Sequence, residues 1–220
     1  ELGDFAAAMT HVQAAQALAG MLGERGAEAW LAVRASMLYR QTGDLTRAQL
    51  WSAHAWRVST EIAHPRCQIE AALELTCFIC QQGAFAEAYH WAQRADELMN
   101  ASAFTRYRGA IALLWSLLHL HSNCLDAATN AAADALEALH TGGEYRYLAV
   151  CHALGAVIAY RQGDECSAHW QLEQARLALL ARADRIPDPA ARTRFLEATP
   201  LRRQLHHHAE LPALDALWRA

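Results

Sequence analysis

Arg66, Arg106 and Arg146 stand at intervals of 40 residues. A guanidinium carries a fixed positive charge and a planar fork of donors that matches carboxylates and phosphates. A row of three could therefore capture an acidic peptide or a small acidic effector. Steps of 4, 3, 4 and 3 from each arginine keep to one face of a helix. That face carries Leu73 after Arg66, Leu113 and Leu117 after Arg106, and Val157 and Tyr160 after Arg146. The pattern predicts an apolar face edged by arginine. A solvated face with local ion pairs accounts for the same three arginines, and it is the plainer reading.

Other reactive residue types carry weaker patterns. Cys77 and Cys80 form a CxxC, but no second ligand pair follows at zinc-site spacing, and the motif falls within an apolar helical stretch. They are expected to be structural. His119 and His121 are two apart and point to different faces of a helix. His206, His207 and His208 read as a solvated tail open to adventitious metal. Trp30, Trp51, Trp56, Trp91, Trp115, Trp170 and Trp218 could build an aromatic pocket, but most are expected to pack between helices. The tail arginines, Arg182, Arg185, Arg192, Arg194, Arg202 and Arg203, are interspersed with Asp184, Asp188 and Glu197 and lack interleaved aromatics. Direct nucleic-acid contact is not expected of them. No GxSxG, HExxH, P-loop or GxGxxG occurs. The chain is expected to be no enzyme, with no metal and no cofactor. The competing enzyme hypothesis requires His119, Cys80 and a carboxylate to converge in a closed pocket.

These residues sit in a chain of 220 with 54% hydrophobic and 19% charged residues, enough to bury a core. Its net charge of −4 argues against a chain-wide nucleic-acid footprint, although every one of its 19 basic residues is arginine. Ala-rich, Lys-free composition suggests a GC-rich bacterial genome. The six cysteines fit no disulfide framework, which points to the cytoplasm. No apolar run reaches the length of a membrane span. The first residues resemble no signal peptide, and the opening without Met, inside an element, is expected of a piece of a longer protein.

The 40-residue period extends well beyond arginine. Gly3, Gly43, Gly83, Asn123 and Gly163 form one column. Ala8, Ala48, Ala88, Ala128 and Ala168 form a second, and Ala15, Ala55, Ala95, Ala135 and Ala175 a third. Ser36, Thr76, Ser116 and Ala156 form a fourth, again of small residues. A Gly or Asn supplies a left-handed helix end, Asp44 and Asp164 can cap the next helix, and small residues let two helices cross closely. This predicts helical hairpins. First helices fall at about 27–42, 65–82, 104–121 and 145–162, and second helices at about 5–22, 45–63, 85–99, 125–139 and 165–184.

The pattern resembles the tetratricopeptide repeat, best at Ala35, Ser36, Tyr39, Gly43, Asp44, Leu45, Ala48 and Ala55. It departs most where Asn123 replaces Gly and His119 stands at the Tyr39 position. Repeats of this length are similar to those of large bacterial ATP-dependent transcriptional regulators. The resemblance implies an all-α solenoid over 1–184, a right-handed superhelix of antiparallel helix pairs whose first helices line a concave groove. Arg185 to Pro189 breaks the last helix, Asp188 and Pro189 can start another, and 185–220 is expected to cap the array. The expected function is regulatory: the groove binds a protein, peptide or acidic effector and signals to an ATPase or DNA-binding domain upstream in the same chain. An oligomerisation module without an effector is the alternative.

Overall fold

A computed structural model describes residues 3–143, 145–208 and 210–218. Among the described residues the chain is all-helical and contains no strand. It divides into two compact units. The first, 4–107, holds α1 (Phe5–Leu22), α2 (Arg25–Gln41), α3 (Leu45–Glu61), α4 (Pro65–Gln81), α5 (Phe85–Ser102) and a 3₁₀ turn (Thr105–Tyr107). The second holds α6 (Arg108–His121), α7 (Leu125–Thr141), a 3₁₀ turn (Tyr145–Tyr147), α8 (Leu148–Gln162), α9 (Glu165–Ala183), α10 (Pro189–Glu197), α11 (Pro200–His206) and α12 (Leu211–Ala216). Helices pack most extensively as sequential pairs: α2 with α3, α4 with α5, α6 with α7, α8 with α9.

Local chemistry sets these boundaries. Gly3, Gly43, Gly83, Asn123 and Gly163 all adopt positive φ, from 56° to 84°. A β-carbon is penalised there, least of all for Asn among residues that carry one. Where the next residue is aspartate, it caps the following helix, whereas Ala84 and Cys124 make no side-chain cap. Asp4, Asp44 and Asp164 accept from the backbone N–H of Ala7, Arg47 and Ser167 at 3.0, 3.0 and 2.9 Å. Between hairpins runs a second left-handed column at the same period: Gly23, Ala63, Ala103 and Gly143. Asp188 caps α10 through Ala190 and Ala191, with Pro189 in the first turn.

The small columns are the helix crossings. Ala48, Ala88, Ala128 and Ala168, and likewise Ala55, Ala95, Ala135 and Ala175, have no exposed surface. Ser36, Thr76, Ser116 and Ala156 are equally buried. A buried hydroxyl must find a partner. The Ser36 hydroxyl donates to the carbonyl of Ala48 at 3.0 Å, and Ser116 to that of Ala128 at 2.8 Å, tying first helix to second at equivalent points. Thr76 turns back to Ala72 O within its own helix at 2.8 Å. On α1 the pattern weakens. Ala8 and Ala15 are only half-buried, and Leu18, Met21 and Leu22 stand exposed.

Two expectations need correction. The helices expected to start at 104 and 145 begin at Arg108 and Leu148, each preceded by a 3₁₀ turn. In the first turn Tyr107 is drawn inward, 4% exposed, where its hydroxyl donates to Glu70 Oε1 at 2.6 Å. In the second, the Arg146 carbonyl accepts from Arg182 Nη1 at 2.7 Å.

Candidate functional site

Arg66 and Arg106 lie in the first unit and Arg146 in the second. Arg66 lies in the first turn of α4, and its Nε stands 3.5 Å from Glu70 Oε1. Glu70, 8% exposed, also accepts from Tyr107 and pairs with Arg34 on α2. The Tyr107 hydroxyl and Glu70 hold the Arg66 guanidinium charged, above its ordinary value. Burial, then the bond to Glu70, pushes the Tyr107 phenol up to about 12. One turn along α4, Glu74 pairs with Arg40 of α2 at 3.0 Å. Arg106 is exposed, and its guanidinium lies over the Tyr107 ring at 5.4 Å. Arg66 and Arg106 thus meet at one tyrosine. Arg146, in the second unit, repeats the stacking on Tyr147 at 4.7 Å. Arg106 and Arg146 lie in 3₁₀ turns, so the helical step rule that places Leu73 with Arg66 applies within α4 only.

The apolar residues divide by burial. Leu73, Leu117 and Tyr160 are partly exposed. Leu113 is 9% exposed and Val157 has no exposed surface, so Val157 offers no atoms to a ligand in this arrangement. Residues of α12 share its core. Leu211 and Leu214 belong to one core cluster with Leu113, Leu120 and Val157, fringed by Leu117, Tyr160, Leu217 and Trp218. Asp215, 2% exposed, accepts from Arg161 Nε of α8 at 2.7 Å, and Arg161 Nη1 also donates to the Leu120 carbonyl at 3.4 Å. A short helix with leucines three apart and one aspartate is seated against α8, in a core that also includes Leu113 and Leu120 of α6. Meanwhile α10 and α11 pack against α9.

Of the remaining side chains, Trp30 and Trp170 stand exposed, against the expectation that they pack between helices, and others are held within the helices. Burial pushes the Cys77 and Cys80 thiols up to about 11 and about 12, and Cys151 to about 12. They are protonated at neutral pH and poor nucleophiles. His119 stacks on Trp115, ring centroids 5.9 Å apart. Burial holds His121 and His152 below the ordinary imidazole value. Trp56 and Trp91 meet edge to face at 4.9 Å. Three of the tail arginines reach inward, Arg182 and Arg202 over the buried Phe195 ring and Arg192 to Ile186 O, while Arg185, Arg194 and Arg203 are exposed.

Sequence reading missed two arrangements. A cleft of about 360 Å³ between α9 and the tail is lined by Glu165, His169, Arg176, His208 and Glu210, with Tyr160 at its wall. Glu197, at the end of α10, accepts from His206 and His207. Neither has a short-range signature, because the tail's returns set both.

No family model matches the chain, and no curated protein matches it. Among solved structures it is similar to BtubC (BKLC) from P. vanneervenii, with 16% identity, a TM-score of 0.64, and 96% of this chain and 85% of that chain covered. At that identity the likeness shows the all-helical fold alone.

Proposed function

We propose that the chain is a non-catalytic binding scaffold built as a tetratricopeptide-like solenoid, a right-handed superhelix with a helical C-terminal cap. The seating of α12 is the observation that carries this reading. The α6/α8 face already accommodates a leucine-bearing helix, and Arg161 pairs with its aspartate. Its natural ligand is a protein segment of the same chemistry. In the other unit, Arg66 and Arg106 flank Tyr107 at the edge of α4 and offer guanidinium groups to an acidic peptide or effector. Binding acts by population shift: a ligand that competes with α12 favours the arrangement in which α12 is undocked. The similarity to large bacterial regulators supports a cytoplasmic sensor role, reporting to an ATPase or DNA-binding domain of the same polypeptide.

The test uses a fluorescent synthetic peptide with the sequence of residues 207–218. It should bind the Asp215→Ala chain, whose resident helix has lost its ion pair, more tightly than the parent chain. It should bind an Arg161→Ala chain more weakly than the Asp215→Ala chain. No binding to any of the three refutes the reading. An oligomerisation module is the second reading, favoured by the exposed Leu18, Met21 and Leu22 of α1. Light scattering across a dilution series detects it, and Met21→Glu should then shift the chain to monomer.

A further inference from the structure

We infer that Glu197, His206 and His207 form a binding site for a first-row transition-metal dication of the zinc, nickel or copper class. α10 ends on Glu197, and Pro200 opens α11 after a two-residue link capped by Thr199. The bend returns the end of α11 to the end of α10. There Glu197 Oε1 lies 2.9 Å from His206 Nδ1 and 3.0 Å from His207 Nε2. The three atoms lie within 4.8 Å of one another. One carboxylate oxygen thus gathers two imidazoles from the neighbouring helix end.

Two imidazoles and a carboxylate are the donor set of zinc and of late first-row dications, and not of magnesium or calcium, which take oxygen ligands. Ligand atoms each about 2.1 Å from a tetrahedral ion stand about 3.4 Å apart. The two carboxylate–imidazole separations have to open by about 0.4–0.5 Å to admit one, and the two imidazole nitrogens, within 4.8 Å of each other, have to settle at the same spacing. Side-chain exposures of 34% for Glu197 and His206 and 66% for His207 leave the fourth position to water. Each neutral imidazole that now donates to Oε1 carries its proton on the nitrogen facing the site. Binding moves that proton to the other ring nitrogen and frees the facing nitrogen for the ion.

The site is distinct from a run of three histidines. His208 adopts φ 54° and lines the cleft beside His169 and Glu210 instead. The carboxylate that completes the set comes from nine residues earlier, on another helix. A bound ion would clip α11 to α10.

The test is calorimetric titration of the metal-stripped 220-residue chain with zinc chloride at neutral pH, in parallel with Glu197→Gln, His206→Gln, His207→Gln and His208→Gln. Far-UV circular dichroism establishes that each variant is folded, and Glu197→Gln, isosteric and partly exposed, carries the decision where a histidine variant is not. The expected result is one ion per chain and a raised melting temperature on loading. Glu197→Gln, His206→Gln and His207→Gln should each weaken binding by about tenfold or more, and His208→Gln should leave it unchanged. Absence of binding, or binding that ignores Glu197→Gln, overturns the site. Binding weakened by His208→Gln as much as by its neighbours overturns it in favour of an adventitious histidine run.

Discussion

Gly109, the second residue of α6, tests whether the helix pairs are in van der Waals register. A β-carbon built there lies 2.8 Å from both Cγ and Cδ2 of Leu139 and 3.2 Å from the Leu139 backbone N. Ordinary carbon contacts are about 3.5–4.0 Å. Leu139 is 1% exposed and belongs to the core of its unit. Its Cδ2 can rotate, but Cγ and the backbone N of α7 cannot, so α6 must back away from α7 by a large fraction of an ångström. Overpacking of this kind costs about 1–3 kcal/mol. Replacing glycine by alanine in a helix returns up to about 1 kcal/mol, less so near the helix start. Gly109→Ala should therefore destabilise by about 1–2 kcal/mol net. Leu139→Ala alone should cost about 2–5 kcal/mol by leaving a cavity. In the double variant the new β-carbon enters that cavity, and the cost should fall short of the sum by about 1–3 kcal/mol. Urea denaturation of all four chains closes the cycle, with slopes compared to show that the cooperative unit is unchanged. Additivity within about 0.5 kcal/mol would refute the α6/α7 register.

Four further outcomes follow from the same geometry. Ser116→Ala removes the donor to the buried Ala128 carbonyl and should cost about 0.5–1.5 kcal/mol in denaturation, while Ala156→Ser, at the equivalent crossing, should be close to neutral. Ala63→Gly and Ala103→Gly relieve left-handed alanines at φ 47° and 56°, and each should raise stability by roughly 0.5–1 kcal/mol, read as a shift in midpoint. His152 and His121 are held neutral by burial, so the unfolded chain binds more protons just below the ordinary imidazole range. Stability should rise with pH through that range and be lost as pH falls below it, and His152→Gln should flatten the melting-temperature profile between neutrality and mild acid. Arg106→Ala leaves folding intact, because an exposed arginine carries little stability, and should weaken binding of an acidic peptide to the first unit in a salt-dependent way by fluorescence titration.

The helix pairs were legible because each repeats a local requirement: a left-handed turn, a small residue at the crossing and, at Asp4, Asp44 and Asp164, an aspartate cap. Asn123 kept the column although it broke the glycine, since Asn tolerates the same dihedrals. The column at Ala63 and Ala103 was not legible by residue type. Only its registry with Gly23 and Gly143 marks it, because alanine ordinarily avoids positive φ. The face proposed to bind was legible only in part. The α6 and α8 positions are apolar as the spacing predicts, but Val157 has no exposed surface, and the core it belongs to includes Leu211 and Leu214 from more than fifty residues away, which no local pattern encodes. The same holds for Asp215 finding Arg161 and for Glu197 gathering His206 and His207: each pairing depends on where the tail returns. The 3₁₀ turns at Arg106 and Arg146 escaped because partners far along the chain, Glu70 for Tyr107 and Arg182 for the Arg146 carbonyl, hold them.

The reading of the α6/α8 face as a binding surface is tested most directly by hydrogen exchange of the Asp215→Ala chain, with and without saturating peptide of sequence 207–218. The account predicts faster exchange in α12 on addition of peptide, with α6 and α8 amides remaining protected, because the added helix takes the place of the resident one. Bound peptide with undiminished protection across α12 would contradict it, and would place the ligand on some other surface of the chain.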